Sequence, residues 1–455
     1  MATAKKTDKP GILYRLFKTY VRFVHDRIYY SRTYRLQTEH IPADGTPLLI
    51  VSNHQNCLND PLGILLAFRD RKPYFITRAD VFDYHPLIRK FLYAIGLLPA
   101  FRIDYEGEAA LKKNEATFRV SERALAKGHT VVMFPESGHQ DKHWLGTFSL
   151  GYAKLAFEAA ELDGFRTEIF ILPACNHYSD YFHIQEQMLV KFGTPISIRP
   201  YYELYRTRPR TAQREVNALV RRQIEDLMLD VRDLEHYPAI DFLRNTWGRK
   251  YALRHGYDAD KLPDRLLSDR ALVAALQRAQ ATDAEAVRKV YDDARTLQDG
   301  IRKMKISDGL FDRPPSRVAV LARTGLCLLL LPAWLCSLWP NALNFVIPAL
   351  ILRRMTDKMF YGTFLLTVST LFTIPLLYAL TFALTWIYVS LWAAAVYLAA
   401  LPFLALFAWY YRTFLVRTLQ AWRFRTHMKT ETGQTLQTLR ADMHQRLNRL
   451  LENKS

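Results

Sequence analysis

Short apolar runs bounded by turn residues punctuate the chain between residues 46 and 200, and each predicts a buried strand. "PLLIVS" (47–52), "PYFITR" (73–78), "HTVVMF" (129–134) and "EIFILPAC" (168–175) are brief and rich in β-branched and aromatic residues. Helical periodicity fills the gaps between them. The clearest instance is "EAALKKNEATFRVSERALAKG" (108–128), with Gly128 where a helix C-terminal glycine belongs. Strands alternating with helices predict an α/β layer architecture with helices flanking the sheet. Ligands in such sheets gather beyond the carboxyl ends of the strands. His54, Glu136 and Asn176 are expected at or just past those ends.

The flanks of this segment follow other rules. In residues 11–36, Arg15, Lys18, Arg22 and Asp26 recur at helical steps, with Leu13, Leu16, Phe17, Tyr20 and Val24 on another face. A membrane span is disfavoured there, since each arginine at mid-bilayer costs about 2.5–3.5 kcal/mol. Residues 1–36 are therefore read as a basic amphipathic helix on a membrane surface, with a helix docked on its own domain as the alternative. The strand-and-helix domain is placed at 37–204. Residues 205–316 are charged, helical in pattern and poor in strand signals, which predicts a solvated helical extension.

The chain then changes character. No charged residue occurs from Thr324 to Leu352, nor from Met359 to Tyr411. As one helix the second stretch would run about 80 Å, far beyond a hydrocarbon core of about 30 Å, so it must fold back. A transmembrane region is expected over 317–411, as two hairpins with spans near 318–338, 360–384 and 386–410. The short run 341–352 is read as a partial element, re-entrant or steeply buried. Residues 412–455 are expected to form a C-terminal helix on the cytoplasmic side.

Charge settles which side is which. Arg317, Arg323, Arg353, Arg354, Lys358, Arg412 and Arg417 flank the apolar stretches, while the connectors at 339–341 and near 385 carry none. The positive-inside rule puts every charged segment on the cytoplasmic side, at a bacterial inner membrane or the endoplasmic reticulum. The formal net charge of +18 calls for an anionic partner. With these apolar stretches and no nucleic-acid-binding motif, that partner is a lipid bilayer rather than nucleic acid. The four cysteines lack Cys-x-x-Cys spacing, which points to neither a zinc site nor a disulfide framework. The basic N-terminus leads into no uninterrupted apolar core, so no secretory signal is expected.

The segment "LLIVSNHQNCLNDPLGILLAF" (48–68) carries the candidate chemistry. A strand pattern ends in Ser-Asn-His, and Asp60-Pro61 follows. Two readings of Asp60 stand side by side. Aspartate and proline are favoured at a helix start, so Asp60 could cap a helix over 61–68. Alternatively its carboxylate orients His54, with Asn59 the second candidate for that task. Cys57 beside His54 suggests a thiol nucleophile, with no supporting feature elsewhere.

Three later segments change the weighting: "GLLPAFR" (96–102), "VVMFPESGH" (131–139) and "ILPACNHY" (171–178). Together with "NHQNCLNDPL", they resemble the four blocks of the glycerolipid acyltransferase family, the glycerol-3-phosphate and lysophosphatidic acid acyltransferases. The resemblance covers roughly residues 37–200. It is nearest to the subgroup with five rather than four residues between the motif histidine and aspartate.

The resemblance implies that His54 is a general base, that Asp60 orients it, and that Arg102 grips an acceptor phosphate. Glu136, Ser137 and Gly138 match the block that shapes the acceptor site, although the family usually has glycine directly after the glutamate. Ser149-Leu150-Gly151 stands where Lys-Lys-Gly is common, with Lys154 one turn later as a replacement cation. Pro173 and Asn176 match the fourth block as structural or pocket-lining residues. No metal and no bound cofactor are implied.

The expected activity is acyl transfer in phospholipid biosynthesis. The donor is acyl-CoA or acyl-carrier protein, and the acceptor is glycerol 3-phosphate or lysophosphatidic acid. Another lyso- or amino-acid lipid as acceptor, or a catalytically silent lipid-binding protein, are the alternatives.

Overall fold

The computed structural model describes residues 10–83, 85–100, 108–136, 138, 142–354 and 360–452. They form two compact units, one comprising residues up to Asp230 with 360–366, the other residues 231–354 with 367 onward.

The first unit opens with α1 (Ile12–Phe23), which continues as a π-helical turn to Tyr29 and enters β1 (Tyr30–Leu36). There follow β2 (Leu48–Ser52), α2 (Asn59–Leu65), β3 (Tyr74–Arg78), α3 (Pro86–Ala94), β4 (Leu97–Ala100) and α4 (Glu108–Ala126). Next come β5 (Thr130–Met133), α5 (Gly151–Glu161), β6 (Phe170–Tyr178), β7 (Glu186–Phe192), β8 (Ile196–Ser197), α6 (Tyr202–Thr207) and α7 (Pro209–Leu227). The strands make one mixed sheet in the order β1-β7-β6-β2-β5-β3-β4, with β8 added on β6. β2 is parallel to both of its neighbours, β5 and β6, whereas β6 and β7 run antiparallel.

β2 lies at the centre with all five residues buried, as a parallel strand covered on both faces must be. On one face Leu49, Val51, Val131 and Met133 join a core with Leu155 and Phe157 of α5 and Val216, Val220 and Ile224 of α7. The solvated extension expected from residue 205 therefore begins later, because α7 completes the core of the sheet. α2 lies against β7 through Gly63, where an added Cβ would sit 2.1 Å from the Met188 side chain.

The N-terminal segment departs most from expectation. Residues 30–36 form β1, parallel to β7, and do not extend the helix. The helical part is turned the other way round from a helix offering its cations to headgroups. Lys18 is buried and donates to the carbonyls of Arg69 and Arg71, while Arg22 donates to those of Leu66 and Phe68 just past α2. Burial pulls the Lys18 ammonium down to a pKa of about 8. Ile12, Leu13, Leu16 and Phe23 face outward, Leu13 at 79% exposure. α3 has no buried residue, exposes Leu87, Ile88, Phe91 and Tyr93, and meets α1 through a Phe17–Phe91 edge contact at 5.5 Å.

The second unit is helical. Helices Tyr237–Thr246, Leu262–Thr282 and Ala284–Met304 pack with the C-terminal helix Glu431–Glu452. Ion pairs hold its interior. Arg244 bridges Asp241 and Asp269, and Arg440 grips Asp308 and Asp312.

Among the described residues, three helices are long and apolar enough to cross a bilayer: Arg317–Ser337, Phe360–Tyr388 and Leu391–His427. The first seven residues of the middle one belong to the other unit. Ala342–Leu352 is a separate helix too short to span. Leu391–His427 runs straight through the boundary expected at 411/412. Within this bundle Trp334 donates to the Ala408 carbonyl, Tyr411 to that of Cys327 and Tyr378 to Asn341.

Candidate active site

β2 stops at Ser52, and the next residues are held by side chains rather than by the sheet. The Asn53 side chain exchanges two hydrogen bonds with the backbone of Asn176 in β6, donating at 3.0 Å and accepting at 2.8 Å. Asn176 also donates from its side chain to Ser52 Oγ. Asn176 is thus a brace within β6, which runs two residues past it, rather than a group at a strand end.

The following turn directs its amides at carboxylates. His54 N–H donates to Glu136 Oε1 at 2.9 Å, while Gln55 N–H and Asn56 N–H donate to Asp60 Oδ2 at 2.7 and 2.8 Å. The same Asp60 oxygen accepts from His54 Nδ1 at 2.8 Å. Asp60 Oδ1 accepts from the Tyr178 hydroxyl at 2.5 Å. The carboxylate is fully buried, whereas the His54 side chain keeps 23% of its surface exposed. A carboxylate only accepts, so Nδ1 carries a proton, and in the neutral imidazole Nε2 then holds the lone pair. The imidazole lies stacked on Phe134, ring centroids 4.6 Å apart.

Asp60 is not a helix cap. α2 begins at Asn59, no side chain caps it, and the Asp60 carboxylate turns back into the loop. Asn59 donates to Asn56 Oδ1. Cys57 is buried at φ 42° in the tight part of the loop.

Glu136 is consumed internally. Its second oxygen accepts from Gly146 N–H at 2.8 Å, so the carboxylate ties the His54 turn to the segment 142–148. Burial pushes its carboxyl upward despite these two donors. Gly138 is exposed with open space around its Cα. Arg102 and Ser137 lie outside the described residues. Lys154 pairs with Glu158 at 3.5 Å.

Sequence reasoning did not find several members of the site. Tyr178 is one, although strand alternation puts it on the same face as Asn176 and so within reach of that reasoning. Burial and the nearby Asp60 charge hold its phenol well above the usual range, so it remains a donor. Gln55 is another. Its side chain accepts from Tyr181 and donates to the Lys142 carbonyl, and the Tyr181 hydroxyl lies 3.3 Å from His143 Nδ1. The third is Thr363, whose Oγ1 accepts from Leu58 N–H at 3.1 Å.

A cavity of about 270 Å³ lined by Tyr14, Asp44, Arg71 and Lys72 opens at the amino ends of β3 and β5, opposite the His54 end. Among the described residues no cluster of three His, Cys, Asp or Glu side chains suits a metal ion. What the loop assembles is an oriented, partly exposed imidazole with a buried carboxylate behind it. That arrangement suits proton abstraction from a hydroxyl.

Residues 33–177 match the family model described as Acyltransferase. This segment is an acyltransferase domain. The segment holds His54, Asp60 and Glu136 and runs from within β1 to His177, one residue before the end of β6, and the protein is an acyltransferase. No curated protein matches the chain significantly. Among solved structures, the 1-acyl-sn-glycerophosphate (LPA) acyltransferase PlsC from Thermotoga maritima aligns at 15% identity with a TM-score of 0.32. The alignment covers 46% of this chain and 79% of that one.

Proposed function

We propose that this acyltransferase is membrane-bound and moves a fatty acyl group from a thioester, acyl-CoA or acyl-carrier protein, to the hydroxyl of glycerol 3-phosphate or lysophosphatidic acid. One observation carries the reading: His54 Nδ1 donates at 2.8 Å to a buried carboxylate that three further donors hold in place. Nε2 takes the acceptor's hydroxyl proton as its oxygen attacks the thioester carbonyl. The tetrahedral adduct collapses with cleavage of the C–S bond, and the imidazolium returns the proton to the departing thiolate. Ester and free thiol are the products. No protein nucleophile is required, because the substrate hydroxyl fills that role. Asp60 fixes the tautomer and stabilises the imidazolium as it forms.

The acylated product and any lyso acceptor are amphiphilic, which suits an enzyme held at a bilayer. The apolar outer faces of α1 and α3 support contact with lipid, since a patch with Leu13 at 79% and Leu87 at 69% exposure is costly in water. The three long apolar helices and the arginines flanking them favour an integral membrane protein with its acyltransferase domain on the cytoplasmic side.

The test offers radiolabelled palmitoyl-CoA and palmitoyl-carrier protein to membranes containing the protein, with glycerol 3-phosphate and lysophosphatidic acid as separate acceptors. One acceptor should be labelled, and His54→Ala should lose about 10²–10⁴-fold in rate. Wild-type labelling that survives in His54→Ala would overturn the assignment of the base. Absence of labelling with every pair would overturn the assignment of substrates.

A further inference from the structure

The loop that presents His54 takes one of its supports from 305 positions further along the chain. Its His54 amide goes to Glu136, its Gln55 and Asn56 amides to Asp60, and its Leu58 amide to Thr363. Glu136 and Asp60 come from the acyltransferase segment. Thr363 stands in the first turn of Phe360–Tyr388, one of the helices long and apolar enough to span a bilayer.

Two further observations place this turn in the site's own framework. Residues 360–366 fall in the same compact unit as the sheet, whereas the rest of the helix does not. Gly362 is buried, and an added Cβ there would lie 2.4 Å from the Tyr29 hydroxyl, 3.3 Å from Asn59 Nδ2 and 3.7 Å from Asn56 Oδ1. Tyr29 is itself 3% exposed and ends the π-helical turn after α1, so it has little room to move aside. Glycine is therefore what allows the helix backbone to reach the loop, and threonine one residue on supplies the acceptor.

We infer that the start of this apolar helix is a working part of the active site. Thr363 is a positioning residue that pins the His54–Asp60 loop, and Gly362 is the close-approach residue that lets it do so. The inference rests on His54 as the base. It adds that the acyltransferase segment is incomplete without a residue from the C-terminal helical region. An amide at Leu58 left without its acceptor lets the start of α2 shift, and Asp60, two residues on, shifts with it. Small displacements of an orienting group of this kind cost roughly ten- to a hundredfold in rate.

Full-length protein in native membranes provides the test, with kcat and KM for the acyl donor measured separately. Thr363→Val should lower kcat at least tenfold with KM within about twofold, and Thr363→Ser, which keeps the acceptor, should recover most of the loss. Thr367→Val, one turn along the same helix, controls for general effects of removing a hydroxyl. Gly362→Ala should also lower kcat, and adding Tyr29→Phe should restore part of it by removing the atom the new methyl meets.

Thr363→Val with wild-type kcat would overturn the inference, as would Thr363→Ser no better than valine. His54→Ala runs alongside. If it retains activity the reading of the base has failed. If it is dead while Thr363→Val is fully active, only the role of the helix has failed.

Discussion

Asp60 in the acyltransferase domain and Asp308 in the helical unit are both carboxylates gripped by several donors, but the donors differ in kind. Asp308 takes both ends of the Arg440 guanidinium, at 2.7 and 2.8 Å. Asp60 takes two backbone amides, a phenol and an imidazole. A guanidinium never releases its proton under ordinary conditions, so the first pair is a fixed strut. Amides and a neutral phenol carry no net charge, so no permanent cation neutralises the second carboxylate. The same residue type thus makes a fastener in one unit and an orienter in the other. What decides is whether a permanent cation is present.

The sharpest way to break that contrast is Asp60→Asn. An amide offers N–H to loop groups that are already donors, so His54 loses its tautomer and the turn loses its acceptor. The rate should fall about 10³-fold or more with little change in KM, measured by acyl transfer in membranes. Glu136→Gln comes next, because each carboxylate oxygen now receives a backbone N–H and an amide can accept on only one side. About a 10²-fold loss in kcat is expected.

Arg440→Ala tests the other member of the comparison. It should destabilise the helical unit by about 2 kcal/mol, discounted for partial exposure, and leave the rate per folded molecule within twofold. Thermal unfolding and activity measured on the same preparation separate the two effects.

Acid sharpens the contrast further. Burial pushes the Asp312 carboxyl up, but Arg440 and Lys250 outweigh it and hold it down to about 2. A depressed carboxyl stabilises the fold above its unfolded pKa and loses that contribution as pH falls through the folded one. Pepsin cleavage within 431–452 should therefore rise between about pH 4 and pH 2, and Arg440→Ala should flatten that rise. Glu136 has the opposite sign, since its carboxyl is raised and burial favours its neutral form. Tyr178→Phe is the mildest test. It leaves one oxygen of Asp60 without a donor and should cost roughly tenfold in kcat.

How far the amino-acid sequence discloses this arrangement depends on distance along the chain. The central strands were legible because β2, β5 and the first half of β6 are mostly apolar runs bounded by turn residues. His54 and Asp60 were legible as a pair because six positions separate them. β1 was not, since "YSRTYRL" is polar enough to read as the tail of a helix and becomes a strand only by pairing with β7. The inward turn of Lys18 and Arg22 was equally hidden, for helical periodicity identifies faces without saying which one turns inward. Tyr178 and Thr363 act across 118 and 305 positions; strand alternation from Asn176 reaches the first, and no local pattern marks the second.

That longest link also bears on biosynthesis. A ribosome delivers His54, Asp60 and Glu136 well before Thr363, so the growing chain can complete its sheet while the Leu58 amide still awaits its partner. The last support for the loop arrives only when the helix beginning at Phe360 has emerged and found its place. At about 5–20 residues per second, the interval between Leu58 and Thr363 is roughly 15–60 s. Throughout that time the nascent enzyme would hold a formed domain with an unfastened base, and competence would be acquired with the apolar helices rather than ahead of them.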